Sequence, residues 1–166
     1  ISSSSVYPNT NGIVTEDDAT YVKTPRSGIT MLAIEDLWSE VPSLETNIIR
    51  FAGLYGPNRN PGRFLAGKTS NGGSNPINMI HLEDCINITQ LLIKGDNWNE
   101  VFNACAPNHP ERKEFYEKAA LQFGYDKPTF NDPEFTDHKI VSSDKLIHSA
   151  GYQFIHPNPL KSLDQL

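Results

Sequence analysis

The chain has 166 residues, a formal net charge of −6, 37% hydrophobic and 20% charged residues, and 12 prolines with 11 glycines. That length suits one domain with a sizeable core and falls short of two comfortable ones, and no apolar run approaches the ~18 residues that a membrane-spanning helix needs. With no cationic surplus to replace counterions, the composition also argues against a nucleic-acid partner and leaves a loop-rich globular protein.

The chain opens on Ile1 and four serines, Ser2 to Ser5, ahead of Val6 and Tyr7. This predicts the end of a strand running into a polar loop, as though the strand had been cut, so an upstream segment of the same protein is expected. Residues 8–28, rich in Asn, Gly, Asp, Thr and Pro, predict a long surface loop with a turn at Asn11 and Gly12. A helix is predicted over about 27–39, with Pro25 and Ser27 as start signals, Leu32, Leu37 and Trp38 giving it an amphipathic character, and Pro42 stopping it.

Next comes an apolar run with Ile48, Ile49 and Phe51 that passes unbroken into Gly53, Tyr55, Gly56 and Pro57. It predicts a buried strand over about 45–52 that delivers its C-terminal end to a tight loop. In open α/β sheets small molecules bind beyond the strand C-termini, and glycine lets the main chain approach a ligand closely. Residues 57–76 read as an excursion with a short helix near 61–66.

A short strand at 77–80 then feeds a helix at about 82–94, with Glu83 and Asp84 in its first turn, where carboxylates suit exposed amides, and Lys94 and Gly95 at its end. A strand at 101–105 and a helix at about 110–123 follow, the helix carrying Phe115, Ala119 and Phe123 on one face and Gly124 as its cap. Residues 126–137 predict a loop, 139–142 a small strand, and 144–149 a short helix capped by Ser142 or Ser143. Leu160 and Leu163 of the tail are expected to dock on the body.

Alternating strand and helix indicates an α/β fold. Neither the Gly-rich dinucleotide fingerprint nor a nucleotide-triphosphatase phosphate loop is present. Cys85 and Cys105 sit among apolar neighbours and read as small buried hydrophobes rather than a disulfide, and no export signal is visible, so a cytoplasmic setting is expected. The formal glycosylation acceptor at Asn87, Ile88 and Thr89 falls inside a predicted helix.

Several motifs in order carry a family likeness. The serines before Tyr7, Glu16 after the next loop, Glu35 in the first helix, then Arg50, Phe51, Gly53, Leu54, Tyr55, Gly56, Pro57 and Arg59, and finally Asn78, Ile80, His81 and Asp84 resemble the C-terminal portion of the extended short-chain dehydrogenase/reductases of the NAD-dependent epimerase/dehydratase group. The resemblance implies the C-terminal part of a Rossmann-type parallel sheet over 1–56 and a mainly substrate-side subdomain over 57–166, interleaved with a return strand and helix near 77–105. It implies NAD or NADP as cofactor, bound mainly by an N-terminal βαβ half absent from this chain, and a small-molecule substrate of the nucleotide-sugar kind.

Carried over by position, the resemblance makes Ser3 the catalytic hydroxyl, places Phe51, Gly53 and Leu54 along the nicotinamide, and puts Arg63, Asn78 and His81 in regions that shape the substrate site. His81 is equally suited to pin the loop to the following helix, and Asp84 suits a helix-terminal carboxylate better than a catalyst. The sequence departs from the family at its general acid/base. Counting back from Glu35 puts Met31 at the lysine position and Ser27 at the tyrosine position, and neither residue supplies the missing chemistry. Arg26 before this helix resembles an atypical, YeeZ-like subgroup.

Tyr7 is then a candidate acid and Tyr55 a candidate at the substrate, with Arg26 as a cation for either. The alternative function is an NAD(P)-binding sensor or scaffold that is catalytically weak or inactive. A metal site built on His81 with Asp84, or on His138 with Asp137, lacks a convergent third ligand, so no metal is expected. The first helix, with Leu32 and Trp38, is a candidate homodimer surface.

Overall fold

The computed structural model describes residues 1–96, 98–131 and 137–166. Along the chain run β1 (Ser2–Ser3), β2 (Ile13–Val14), α1 (Arg26–Ser39), β3 (Ile48–Phe51), β4 (Gly53–Tyr55), α2 (Gly62–Leu65), β5 (Thr69–Ser70), β6 (Met79–His81), α3 (Leu82–Lys94), β7 (Val101–Ala104), α4 (Arg112–Gln122), β8 (Thr129–Phe130), β9 (Ile140–Val141), α5 (Asp144–Ser149) and α6 (Pro159–Ser162). β3 is the middle of a parallel sheet ordered β1-β3-β7, with Ser2 opposite Arg50, Ile48 opposite Val101 and Phe51 opposite Ala104. Parallel neighbours require crossover connections, and α1 fills that role between β1 and β3. An α/β architecture with parallel pairing is thus observed.

The central strand divides between two sheets. Ala52 still donates its amide to the Ala104 carbonyl at 3.0 Å, whereas the next amide, that of Gly53, donates to the Asn78 carbonyl at 3.0 Å. From there β4 pairs in parallel with β6, Gly53 lying opposite Met79 and Tyr55 opposite His81. A side chain at residue 53 would place its Cβ 2.7 Å from Met79 Sδ and 3.0 Å from the Asn78 carbonyl oxygen, so glycine permits the crossing. The strand predicted over 45–52 therefore starts later and continues further than its apolar run indicates, because its second half finds a different partner.

Two apolar clusters fill the interior. Val6, Tyr7, Leu32, Ile49, Ile80, Ile88 and Phe102 belong to the first, and Tyr55, Ile77, Met79, Phe115, Ala119 and Leu163 form the second. Leu160 packs on the second cluster beside Leu163, as the tail's two leucines predict. Removing side chains of this size from water contributes roughly 1.5–3 kcal/mol each.

Other elements depart from expectation in informative ways. The loop predicted at 8–28 contains β2, which pairs in parallel with β9, and a 3-10 turn at Glu16–Asp18 closed by a capping box between Thr15 and Asp18. The loop predicted at 126–137 falls partly on residues 132–136, outside the described residues. Ser143 is the N-cap of α5, but its hydroxyl is turned inward onto both backbone groups of Cys105 at 2.9 Å, and it is Ser142 that accepts the Asp144 amide at 3.1 Å. Leu32 belongs to the core, which removes it from any pairing surface, but Trp38 is 56% exposed alongside Ile34 and Leu37.

Cys85 and Cys105 are both free and buried, and burial pushes both thiols up to about 12. Among the described residues no helix is long and apolar enough to cross a membrane.

Candidate functional site

The motif residues converge first on a buried polar network under the end of the central strand. An arginine inside an apolar strand needs a partner, and Arg50 has Glu35 of α1: Nη2 lies 2.7 Å from Oε2, and Nε lies 3.1 and 3.2 Å from the two carboxylate oxygens. Ser2 of β1 donates its hydroxyl to the same carboxylate. Arg50 Nη1 donates to the Tyr7 hydroxyl at 2.8 Å and to the Glu16 carbonyl at 2.9 Å. Tyr7 in turn donates to Asn103 Oδ1 at 2.6 Å, and the Asn103 amide donates to the Glu16 carboxylate at 2.7 Å.

This network gives Tyr7 a place in the core. The side chain is fully enclosed, its hydroxyl both donates and accepts, and burial, offset in part by Arg50, pushes its pKa up to about 12. The expectation of a phenol facing a cleft overlooked that Tyr7 stands directly over the one arginine in the central strand. Ser3 is half-buried, pairs with Phe51 across the sheet, and accepts the Ser5 amide at 3.2 Å through its hydroxyl. Ser27 is exposed near the start of α1, while Met31 packs against the first core cluster. Arg26 is exposed as well.

Beyond the strand fork lie two cavities. One, of about 330 Å³ and mostly apolar, is lined by Phe51, Leu54, Tyr55, Leu82 and Cys85 among others, with Arg59 also in its lining. The second, of about 370 Å³, is lined by Gly53, Asn78, Arg112, Tyr116, His138 and Lys139 among others. The fork thus places Phe51 and Leu54 on one cavity and Gly53 with Asn78 on the other. Asn78 is anchored there, donating to the Lys139 carbonyl at 2.9 Å and accepting the Val141 amide at 2.8 Å. Burial lowers the Lys139 amine, which donates to the Tyr7 carbonyl. Arg112 carries a buried Nε with no hydrogen-bond partner.

Of the remaining predicted residues, Arg63 and His81 line neither cavity, whereas Tyr55 lines the apolar one. Arg63 is exposed on α2, its guanidinium 5.6 Å from the Phe64 ring centroid. Tyr55 lines the apolar cavity with its ring, but the residue is 1% exposed and burial, eased by the Ser162 hydroxyl beside it, pushes the phenol up to about 12. His81 caps α3 by accepting the Glu83 amide at its Nδ1 at 3.2 Å, and burial together with His156 lowers its pKa. That is the pinning geometry anticipated beside the substrate role.

Asp84 corrects a simpler expectation. It is fully buried and accepts from the Ile155 amide at 2.8 Å, the His156 amide at 3.1 Å and the Tyr152 hydroxyl at 2.7 Å. Its carboxylate therefore ties down the C-terminal tail in addition to sitting in the first turn of a helix. Sequence reasoning missed Arg112 and Lys139, which lie in segments without a motif. A buried charge at residue 50 flanked by Ile49 and Phe51 was the available signal for the Glu35 network.

No family model matches this sequence. The chain is 36% identical over 165 residues to Protein YeeZ of Escherichia coli strain K12, an alignment covering 96% of this chain and 58% of YeeZ. It therefore spans less than two thirds of the length of that curated relative. A functionally unknown conserved protein from Silicibacter pomeroyi DSS shares its fold with a TM-score of 0.83 at 24% identity, over 99% of this chain and 64% of the other. UDP-glucuronic acid 4-epimerase from Bacillus cereus, solved in complex with UDP-glucuronic acid and NAD, gives a TM-score of 0.76 at 20% identity, over 98% of this chain and 57% of the other. The chain is thus similar in sequence to YeeZ and shares its fold with these solved structures.

Proposed function

We propose that this chain forms the substrate-side part of an NAD(P)-binding, epimerase/dehydratase-like oxidoreductase acting on a nucleotide sugar or a similar carbonyl or hydroxyl compound. The observation that supports it most is the fork at Ala52, which sets an apolar cavity beside Phe51 and Leu54 and a polar one beside Gly53 and Asn78. An apolar wall suits a nicotinamide ring, and a polar cavity in which Arg112 and Lys139 outnumber the acid Asp137 suits an anionic substrate. On this reading the phosphate-gripping residues belong to the part of the relatives that this chain does not span, residues 1–56 belong to the cofactor half, and 57–166 belong mainly to the substrate half. The exposed face of α1 with Ile34, Leu37 and Trp38 is the proposed homodimer surface. The free buried cysteines accord with a cytoplasmic setting.

In this proposal Ser3 hydrogen-bonds the reacting oxygen of the substrate. Tyr7 holds Arg50, and Arg63 and His81 are weaker substrate contacts than Asn78, since neither lines a cavity. A second reading, cofactor binding with little chemistry, is favoured by one observation: the hydroxyl of Tyr7 is committed to the core and Tyr55 is enclosed, so neither replaces the missing tyrosine without rearrangement.

Turnover separates the two. With the protein carrying any sequence that precedes Ile1, a panel of nucleotide sugars assayed with NAD and NADP is expected to yield a turned-over substrate. Ser3→Ala is then expected to lower kcat about 10²-fold while leaving cofactor affinity within twofold. Equal loss of binding and turnover would remove Ser3 from the chemistry, and no turnover across the panel would favour the second reading.

A further inference from the structure

His81, Glu83 and His156 each offer a donor atom, and the three atoms lie within 4.8 Å of one another. They come from two elements that the sequence separates widely: the junction of β6 with α3, and the C-terminal tail. We propose that this cluster is a binding site for one divalent transition-metal ion of the imidazole-preferring kind, Zn²⁺ or Co²⁺, which clamps the tail to the start of α3. None of the three residues lines either cavity, although His81, also carried over to the substrate region, packs its ring against Tyr55 of the apolar cavity at 5.2 Å between centroids.

Four features support it. Two imidazoles and a carboxylate form a donor set that Zn²⁺ and Co²⁺ accept, leaving a fourth position for water. Both histidines are buried, at 6% and 5% exposure, whereas the Glu83 side chain is 53% exposed, which leaves an entry path on the carboxylate side. His156 is more than nine-tenths buried and its Nδ1 has no hydrogen-bond partner, so no second bond holds the ring against presenting Nε2, the nitrogen that faces Glu83, to an ion. Finally, Glu83 Oε2 stands 2.9 Å from His156 Nε2, a little inside the roughly 3.3–3.6 Å that separates two donors about 2.0–2.2 Å from a common tetrahedral ion.

Binding requires two adjustments. The donors, all within 4.8 Å of one another, must settle at roughly 3.3–3.6 Å around a tetrahedral ion, and the exposed Glu83 side chain is free to turn toward it. His81 now uses Nδ1 to accept the Glu83 amide and stacks on His156 with ring centroids 3.7 Å apart. Ligation through Nδ1 replaces that hydrogen bond with the metal, and ligation through Nε2 moves the proton to Nδ1, so either route gives up the one bond to the Glu83 amide. Asp84, adjoining this cluster, keeps its bonds to the tail in either case. The earlier objection to a metal on His81, the want of a third ligand, arose because His156 lies so far along the chain.

The test uses untagged protein, treated with EDTA and desalted, titrated with ZnCl₂ or CoCl₂ in a calorimeter. The expected result is one ion per chain with a Kd in the micromolar range or below, visible absorption bands of four-coordinate Co²⁺, and a melting temperature raised by Zn²⁺ and restored by EDTA. His156→Ala and Glu83→Gln are each expected to weaken binding at least tenfold, while His148→Ala at an exposed position leaves it unchanged. If His156→Ala fails to fold, Glu83→Gln, at an exposed side chain, decides alone. No saturable binding below about 100 µM, or binding that Glu83→Gln leaves intact, would overturn the proposal.

Discussion

Arg50→Met is expected to destabilise the protein by roughly 3–5 kcal/mol, because it strands the Glu35 carboxylate inside the core with Ser2 as its remaining side-chain donor. Total stabilities of domains are about 5–15 kcal/mol, so the change removes a large share of it. At this chain length that corresponds to a fall in melting temperature on the order of 10 °C. Pairing the substitution with Glu35→Leu is expected to recover most of the loss, since the cost lies in the unpaired charge rather than in the absence of an ion pair. Urea melts of the two single variants and the double variant measure this directly. A single variant within 1 kcal/mol of the parent would mean that the Glu35–Arg50 pair does not organise the sheet end.

Asp84→Ala is the second large effect. It leaves three donors, the amides of Ile155 and His156 and the Tyr152 hydroxyl, without their acceptor. At about 1–3 kcal/mol for each donor that stays buried and unpaired, a total near 3 kcal/mol is expected after water reaches some of them. The loss should concentrate in the tail: amides 152–156 should exchange with solvent much faster, while those of β3 and β7 keep their protection. Asp84→Asn retains an acceptor oxygen and is expected to cost less. Uniform loss of protection across the molecule would show that Asp84 supports the whole fold rather than the tail.

Much of the architecture was legible before any coordinates. The helix Leu82–Lys94 has the predicted bounds, because carboxylates at its start, a lysine and glycine at its end and an apolar stripe between them all agree. The strand Val101–Ala104 is a compact apolar run with no competing period. β2 was not legible, since two residues carry no alternation and their partner β9 is remote in sequence. Nor was the fork at Ala52, where a continuous apolar run hides a change of partner that only backbone hydrogen bonds reveal.

The candidate site divides the same way. Phe51, Leu54, Gly53 and Asn78 are brought to the two cavities from motif positions, whereas Arg63 lies elsewhere. Asp84 shows the limit most clearly. A carboxylate in the first turn of a helix looks the same in sequence whether it answers helix amides or a distant tail. The positions of Ser27 and Met31 were legible, and the structure leaves them as an exposed serine and a packed methionine.

On the proposed function the apolar wall at the strand fork is a cofactor wall, and NADH fluorescence titration of the protein with any sequence preceding Ile1 tests this most directly. Leu54 lines that cavity and is 40% exposed, so Leu54→Glu should fold normally while placing a charge against the ring. The expected result is saturable NADH or NADPH binding in the parent and at least a tenfold weaker Kd in Leu54→Glu, with melting temperatures within 2 °C of each other. Absence of binding in the parent, or unchanged affinity in a folded Leu54→Glu variant, would contradict it.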